Sequence, residues 1–196
     1  MILKFRRLLT LIFVFSCSPA LLADEAALRS TIEQFHNVLI DVMKSDAEFQ
    51  ERYTTLETAI DTTFDMKTVS RMSVGTPWRK LDADAKQEFS QLMRELITAT
   101  YADRFDSFND QSFEIVSIAE PRPGRWLIRT RLIRKSGKPV SLDYYFKGQR
   151  VFNVVADGVS DLAVRRADYT AVLNTDGFQG LLDSVRANIA GLRNES

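Results

Sequence analysis

Cysteine and histidine are almost absent from this chain of 196 residues, which contains one of each. The cysteine is Cys17, close to the N-terminus, so no disulfide can form within the chain. His36 has no other histidine and no nearby cysteine with which to bind a metal, and we expect it at a surface or boundary position of a helix. We therefore expect neither a disulfide framework nor a metal or cofactor site.

An excess of charge of either sign is also lacking, because 26 basic residues balance 26 acidic ones. This balance argues against a nucleic-acid partner. A phosphate-binding glycine loop is missing, since Gly137-Lys138 is followed by Pro139 and has no upstream glycine. Gly158-Val159-Ser160-Asp161 lacks the second glycine of a serine-hydrolase elbow. These absences exclude the usual nucleotide and serine chemistries, and we expect no enzyme activity.

Long apolar runs are missing as well, and the one short run lies at the N-terminus. Lys4, Arg6 and Arg7 precede an apolar stretch over residues 8–15, which is the pattern of a secretory signal. A membrane-spanning helix needs ~20 apolar residues, so this stretch is too short for one. We expect a signal peptide over residues 1–23, cleaved after Ala20 or Ala23, and a single domain over residues 24–196. A lipoprotein signal ending at Cys17 is the alternative.

Two stretches of apolar residues at helical spacing predict two amphipathic helices. Their apolar stripes are Leu28, Ile32, Phe35, Leu39 and Val42, and then Phe49, Tyr53, Leu56, Ile60 and Phe64. Ser45 and Glu48 form a capping-box pattern that predicts the start of the second helix. A short helical turn over 66–74 ends at the glycine and proline of 75–77. Asp82 then predicts the N-cap of a long helix.

The apolar period changes to two after this helix, which predicts strands. We expect four of them, around residues 113–117, 126–132, 140–146 and 151–156, joined by short turns as an antiparallel meander. Two more helices follow, over residues 162–173 and 178–192. This order predicts an α+β fold in which helices pack on one face of a curved four-stranded antiparallel sheet, of the nuclear-transport-factor-like or cystatin-like kind.

Large apolar residues of the sheet and of the long helix are predicted to face one another. They line either a filled core or an apolar pocket: Trp78, Phe89, Met93, Leu96, Ile97 and Tyr101 from the helical part, and Trp126, Ile128, Leu132, Leu142, Tyr144 and Phe146 from the sheet. Asp143 and Asp157 are the carboxylates that an isomerase-like enzyme on such a sheet would use. Since Asp143 alternates with Leu142 and Tyr144, we expect it to face away from the apolar side.

Several motifs resemble the MlaC family of periplasmic lipid-shuttle proteins, also called toluene-tolerance auxiliary proteins. They are Phe64-Asp65-Met66, the segment Met72-Ser73-Val74-Gly75-Thr76-Pro77-Trp78, Phe89, Tyr101, and Ala156-Asp157-Gly158-Val159-Ser160. Gln149 and Asn153 stand where the family usually has Trp and Asp, and the ending at Arg165-Arg166 also differs. These departures resemble the hopanoid-biosynthesis-associated (HpnM-like) branch.

The resemblance implies a monomeric periplasmic carrier whose pocket, between sheet and helices, takes the acyl chains of a phospholipid or a hopanoid-type lipid. It also implies an inner-membrane transporter of the ABC type and an outer-membrane acceptor as partners. Two alternatives remain open from the residues themselves. One is an isomerase-like enzyme on the same cone-shaped fold, and the other is a periplasmic interaction module with a filled core.

Overall fold

The computed structural model of the protein describes residues 19–194, with side chains from residue 24 onward. In chain order the elements are α1 Pro19–Lys44, α2 Phe49–Thr63, α3 Met66–Val74, a 3-10 helix η1 Thr76–Lys80, α4 Ala83–Arg104, β1 Ser112–Arg122, β2 Arg125–Ile133, β3 Val140–Lys147, β4 Arg150–Ala156, β5 Val159–Ser160, α5 Asp161–Thr175 and α6 Gly177–Asn194. The predicted α+β class is confirmed. Within this range no helix is both long and apolar enough to cross a membrane. Residues 1–18 of the predicted signal peptide lie outside the described residues.

The helices form where the apolar stripes predict them, because each stripe covers one side of its helix and is buried. Asp82 caps α4 as predicted, and its Oδ1 accepts a hydrogen bond from the backbone N–H of Ala85 at 2.8 Å. The capping box at Ser45 is wrong. The hydroxyl of Ser45 donates instead to the carbonyl of Val42 at 2.7 Å, so it closes the end of α1, and Glu48 is the N-cap of α2 without a side-chain bond.

The sheet is an antiparallel meander with the order β1-β2-β3-β4-β5. It has five strands, so the prediction of four is wrong by one. Asp157 and Gly158 both have positive φ, +47° and +84°, and this tight turn sends the chain back along β4. Ser160 therefore pairs with Val155 before α5 begins. Two residues are too few to show the alternation that predicts a strand.

The two faces of the sheet differ in polarity. Trp126, Ile128 and Leu132 pair across β2 and β3 with Phe146, Tyr144 and Val140 on the face that the helices cover. On the opposite face Arg129 lies beside Asp143, with 3.7 Å between Nε and Oδ2. Asp143 thus faces away from the apolar side, as its position in the alternation predicts.

A bulge in β4 sets the position of α5. Tyr145 pairs with Asn153 whereas Phe146 pairs with Val151, so Phe152 is one extra residue in β4. The side-chain oxygen of Asn153 accepts from the hydroxyl of Ser160 at 3.1 Å and from the backbone N–H of Leu162 at 3.2 Å. These two bonds tie the first turn of α5 to the sheet.

His36 is buried, with 4% of its surface exposed, so the predicted surface or boundary position is wrong. Its ring stacks on Phe113 with 3.9 Å between ring centroids, and its Nε2 lies 3.1 Å from the hydroxyl oxygen of Tyr144. Burial lowers the pKa of His36 from 6.5 to about 3. The imidazole is therefore neutral, and it joins α1 to the sheet through one hydrogen bond and one stacking contact.

Candidate functional site

An apolar cavity of about 350 Å³ lies between the covered face of the sheet and the helices α3, α4 and α5. This volume lies near the lower end of the range of about 300–1,000 Å³ that is typical of ligand pockets. Its lining is Met43, Phe64, Val69, Ile97, Thr100, Tyr101, Arg104, Phe105, Gln111, Leu132, Arg134, Val140, Leu142, Tyr144, Phe152, Asn153, Val154, Ala156, Asp161, Leu162 and Arg165. The space facing the sheet is thus not completely filled by side chains.

Aromatic side chains pack together behind the wall of the cavity. Phe35 makes edge-to-face contacts with Phe64 and Tyr101, at 5.6 and 5.3 Å between ring centroids, and with Tyr144 at 6.5 Å. Ile97 and Tyr101 stand one turn apart on α4 and therefore share the side that faces the sheet. The result is a preformed apolar wall.

Charged side chains gather where the cavity meets solvent. Arg104 and Arg134 are the two exposed members of the lining, and we call them, with Asp161 and Arg165, the rim. Arg165 donates through Nε to Asp161 Oδ2 at 2.8 Å. Burial by itself would lower the pKa of Arg165, but Asp161 and Tyr169, which interact with its guanidinium, together outweigh this and keep that pKa above its usual value. With three arginines against one aspartate, the rim is net positive.

The twelve residues predicted from sequence fall into three places. Five belong to the cavity lining: Ile97, Tyr101, Leu132, Leu142 and Tyr144. Four are packed in the core outside it: Phe89, Met93, Leu96 and Ile128. Phe89 and Met93 face α5, where the ring of Phe89 lies 5.9 Å from that of Tyr169 and the Tyr169 hydroxyl lies 3.3 Å from the sulfur of Met93. The remaining three, Trp78, Trp126 and Phe146, line a separate groove at the other end of the sheet.

Sequence reasoning missed nine of the fourteen apolar residues that line the cavity, and the whole rim. Met43 follows Leu39 by one helical turn, and Arg104 follows Tyr101 by three residues, so helical periodicity could have found both. Phe152 gave no such signal, because the bulge in β4 disturbs the alternation by which strand faces are assigned.

The wall of the cavity carries no group that exchanges a proton near neutral pH. Burial raises the pKa of Tyr101 and that of Tyr144 well above the usual value, so both phenols stay protonated. Asp143 is on the opposite face, and Asp157 Oδ1 accepts from the backbone N–H of Ser141 at 2.8 Å in a turn. Among residues 24–194 no group of three or more potential metal ligands occurs. The geometry offers shape and apolar surface for binding.

Fold and cavity together define a small α+β protein that encloses an apolar space of ligand size with a positive rim. A family model described as "MlaC protein" matches residues 33–187. This span covers well over half of the chain, and the chain therefore belongs to the MlaC family.

The fold is also similar to that of a solved structure, the phospholipid-binding protein from Ralstonia solanacearum in complex with a phospholipid. The TM-score is 0.74 at 17% sequence identity, and the match covers 86% of this chain and 98% of the other. At this identity the match shows a shared fold. A comparison with curated proteins gave no match.

Proposed function

We propose that the protein is a lipid-binding carrier whose cavity holds acyl chains. The observation that carries the proposal is the combination of an apolar cavity with a net positive rim, because a phospholipid has the same division between apolar tails and an anionic phosphate. Membership of the MlaC family supports it. So does the relative of the same fold, which was crystallised with a phospholipid.

The polarity of the lining favours one orientation of the proposed lipid. Acyl chains would lie against Ile97, Leu142 and Tyr144, and the phosphate would lie at Arg104 and Arg134. Arginine is suited to this position, since its guanidinium can donate two parallel hydrogen bonds to phosphate oxygens. The lipid would thus enter tails first and keep its headgroup in water.

Energetics make such a carrier depend on an acceptor. Each methylene withdrawn from water contributes about 0.8 kcal/mol, so about 12 buried methylenes contribute on the order of 10 kcal/mol. A lipid held in this way does not leave into water at a useful rate. Release needs an apolar acceptor, a membrane or another protein, in contact with the rim.

Family membership and the sequence support a proposal for the wider role. We propose that the protein works in the periplasm as the soluble, monomeric component of an ABC-type system, carrying lipid between an inner-membrane transporter and an outer-membrane acceptor. Gln149 and Asn153 favour the hopanoid-associated branch. Either a phospholipid or a hopanoid-type lipid is then the cargo.

The test uses two neighbouring residues of β3 that point to opposite faces. Residues 24–196 are expressed in a periplasm, purified without detergent and analysed by native mass spectrometry followed by lipid extraction. Leu142→Glu places a carboxylate in the cavity wall and should abolish lipid co-purification, whereas Ser141→Glu, on the exposed face, should retain the wild-type amount.

Circular dichroism checks that both variants are folded. Retention of lipid by a folded Leu142→Glu variant would place the ligand outside this cavity. If wild-type protein purifies empty and also takes nothing from phospholipid or hopanoid vesicles, the interaction-module alternative becomes the better account.

A further inference from the structure

A second concavity, of about 800 Å³, lies at the opposite end of the sheet from the rim. It is bounded by α3, η1 and the first turns of α5 on one side, and by the ends of β1 to β4 on the other. Its lining includes five arginines and no aspartate or glutamate. We call it the arginine groove, after Arg71, Arg79, Arg122, Arg125 and Arg166.

The charges of these arginines are not neutralised within the described part of the chain, where none of the five forms a salt bridge. Elsewhere the arginines Arg94, Arg129 and Arg186 do pair with carboxylates. Glu120, two residues before Arg122 in the chain, accepts from the backbone N–H of Gly124 at 2.7 Å within its own turn. The groove therefore holds a concentrated positive charge.

Uncharged groups hold two of the five arginines in place. Arg166 donates through Nη1 to the carbonyl of Met72 at 3.2 Å, and the Arg125 guanidinium lies 5.4 Å from the ring centroid of Phe152. Gly75 makes room for Arg166, because a Cβ at Gly75 would lie 2.7 Å from its Nη2. These contacts restrict the side chains and leave their charge available to a ligand.

The floor of the groove is aromatic but recessed. Trp78 and Trp126 are each 6% exposed and Phe146 is fully buried. The large apolar side chains that do protrude from the described residues all lie elsewhere: Phe108, Val116, Ile133, Val159 and Val164. A membrane surface is convex or flat and is entered by protruding apolar groups, so this concave shape favours a chain segment over a bilayer.

The position of the groove leaves the rim free. Arg125 begins β2 and Leu132 lies near its end, and at about 3.3 Å per residue these positions are roughly 23 Å apart. A partner held in the groove would therefore not cover Arg104 or Arg134 at the cavity opening.

From this charge complementarity we propose that the arginine groove docks an acidic segment of a protein partner. Carboxylates of the segment pair with Arg71, Arg122 and Arg125 along the groove, and intervening apolar side chains rest on Trp78 and Trp126. Arginine–carboxylate pairs give such a contact its specificity and its rate of association.

The probe is a short fluorescein-labelled peptide in which glutamate alternates with leucine, and its binding to residues 24–196 is followed by fluorescence anisotropy. The variant Arg71→Glu/Arg122→Glu should bind it about tenfold or more weakly than wild type. Arg131→Glu/Lys138→Glu changes the net charge equally at exposed positions outside the groove and should bind within about twofold of wild type. Raised salt should weaken the wild-type complex.

Equal losses in the two double variants would overturn the proposal, as would a lysine–leucine peptide that binds as well as the acidic one. Sedimentation with anionic phospholipid vesicles is the second arm. A loss of vesicle binding confined to the groove variant, without loss of peptide binding, would assign the groove to a membrane and also overturn it. Co-purified lipid is measured on the same samples, and because neither Arg71 nor Arg122 lines the cavity, the groove variant should keep it. The docking and the carrier proposals can therefore fail independently.

Discussion

The two concave regions of this protein differ in how charge and apolar surface are distributed in their linings. The cavity is apolar inside, and its charged rim contains one ion pair, Arg165 with Asp161. The arginine groove has an aromatic floor but carries five positive charges without a carboxylate in its lining. Both are formed by the same sheet, at its two ends. Under the two proposals, one fold separates a site for apolar cargo from a site for a charged partner.

Phe152 is the point where the two regions meet, since it lines both of them. Its ring lies below Arg125 on the groove side and closes the cavity on the other. The bulge in β4 is what turns this one side chain toward both spaces. Phe152 is thus the one residue that the linings of the cavity and the arginine groove share.

Acid should affect the cavity more strongly than the arginine groove, because His36 lies against Tyr144 of the cavity wall. The pKa of His36 is about 3 in the folded protein and near 6.5 in the unfolded chain, so between these values the unfolded chain binds the proton preferentially. The stabilising effect of a neutral His36 is complete above pH 6.5 and is lost as the pH falls toward 3. At pH 4.5 the loss is on the order of 3 kcal/mol.

The measurement is urea unfolding of wild type and His36→Gln at pH 7.5 and at pH 4.5. Both proteins lose stability as carboxylates become protonated, but wild type should lose more, by on the order of 3 kcal/mol. For each protein, the quantity compared is the change in unfolding free energy between pH 7.5 and pH 4.5. Absolute stabilities are not compared, because Gln also gives up the stacking contact with Phe113. An equal loss of unfolding free energy in both proteins would show that His36 does not contribute to the pH dependence of stability.

A smaller effect is expected at the groove from Gly75→Ala. Gly75 has φ +74° and ψ −134°, a conformation that costs an alanine about 1–3 kcal/mol, and the new methyl would also displace the Arg166 guanidinium. Gly137→Ala is the matched control, since Gly137 has φ +87° and open space around its Cβ position.

Both glycine variants should lose stability in urea unfolding, while only Gly75→Ala should also bind the acidic peptide a few-fold more weakly. An equal effect of both variants on peptide binding would show that Arg166 does not contribute to binding the peptide in the groove. Co-purified lipid should be unchanged in either case, since neither glycine lines the cavity.

Much of this architecture can be predicted from sequence, because the helices and strands follow from apolar spacing and from local signals such as Asp82. What periodicity reports is which side of an element faces the interior. It does not report whether the space on that side is filled. Ile128 and Leu142 both occupy inward-facing positions in the alternation of their strands, although Ile128 is core and Leu142 is cavity wall.

Features that depend on contacts distant in sequence were not predictable in this way. His36 is buried because Tyr144, 108 residues away, offers it a hydrogen bond. The five arginines of the groove belong to α3, η1, β1, β2 and α5, and only the folded chain brings them together. No stretch of the sequence contains a cluster that would have indicated this charge.

The most direct test of the carrier proposal is photocrosslinking with a phospholipid that has a diazirine at the end of one acyl chain. The lipid is loaded from vesicles into residues 24–196, irradiated, and the labelled peptides are mapped by mass spectrometry. The account predicts labels on the deep wall, at Met43, Phe64, Val69 or Tyr144, and their loss in Leu142→Glu. Labels confined to the exposed face of the sheet or to the arginine groove would contradict it.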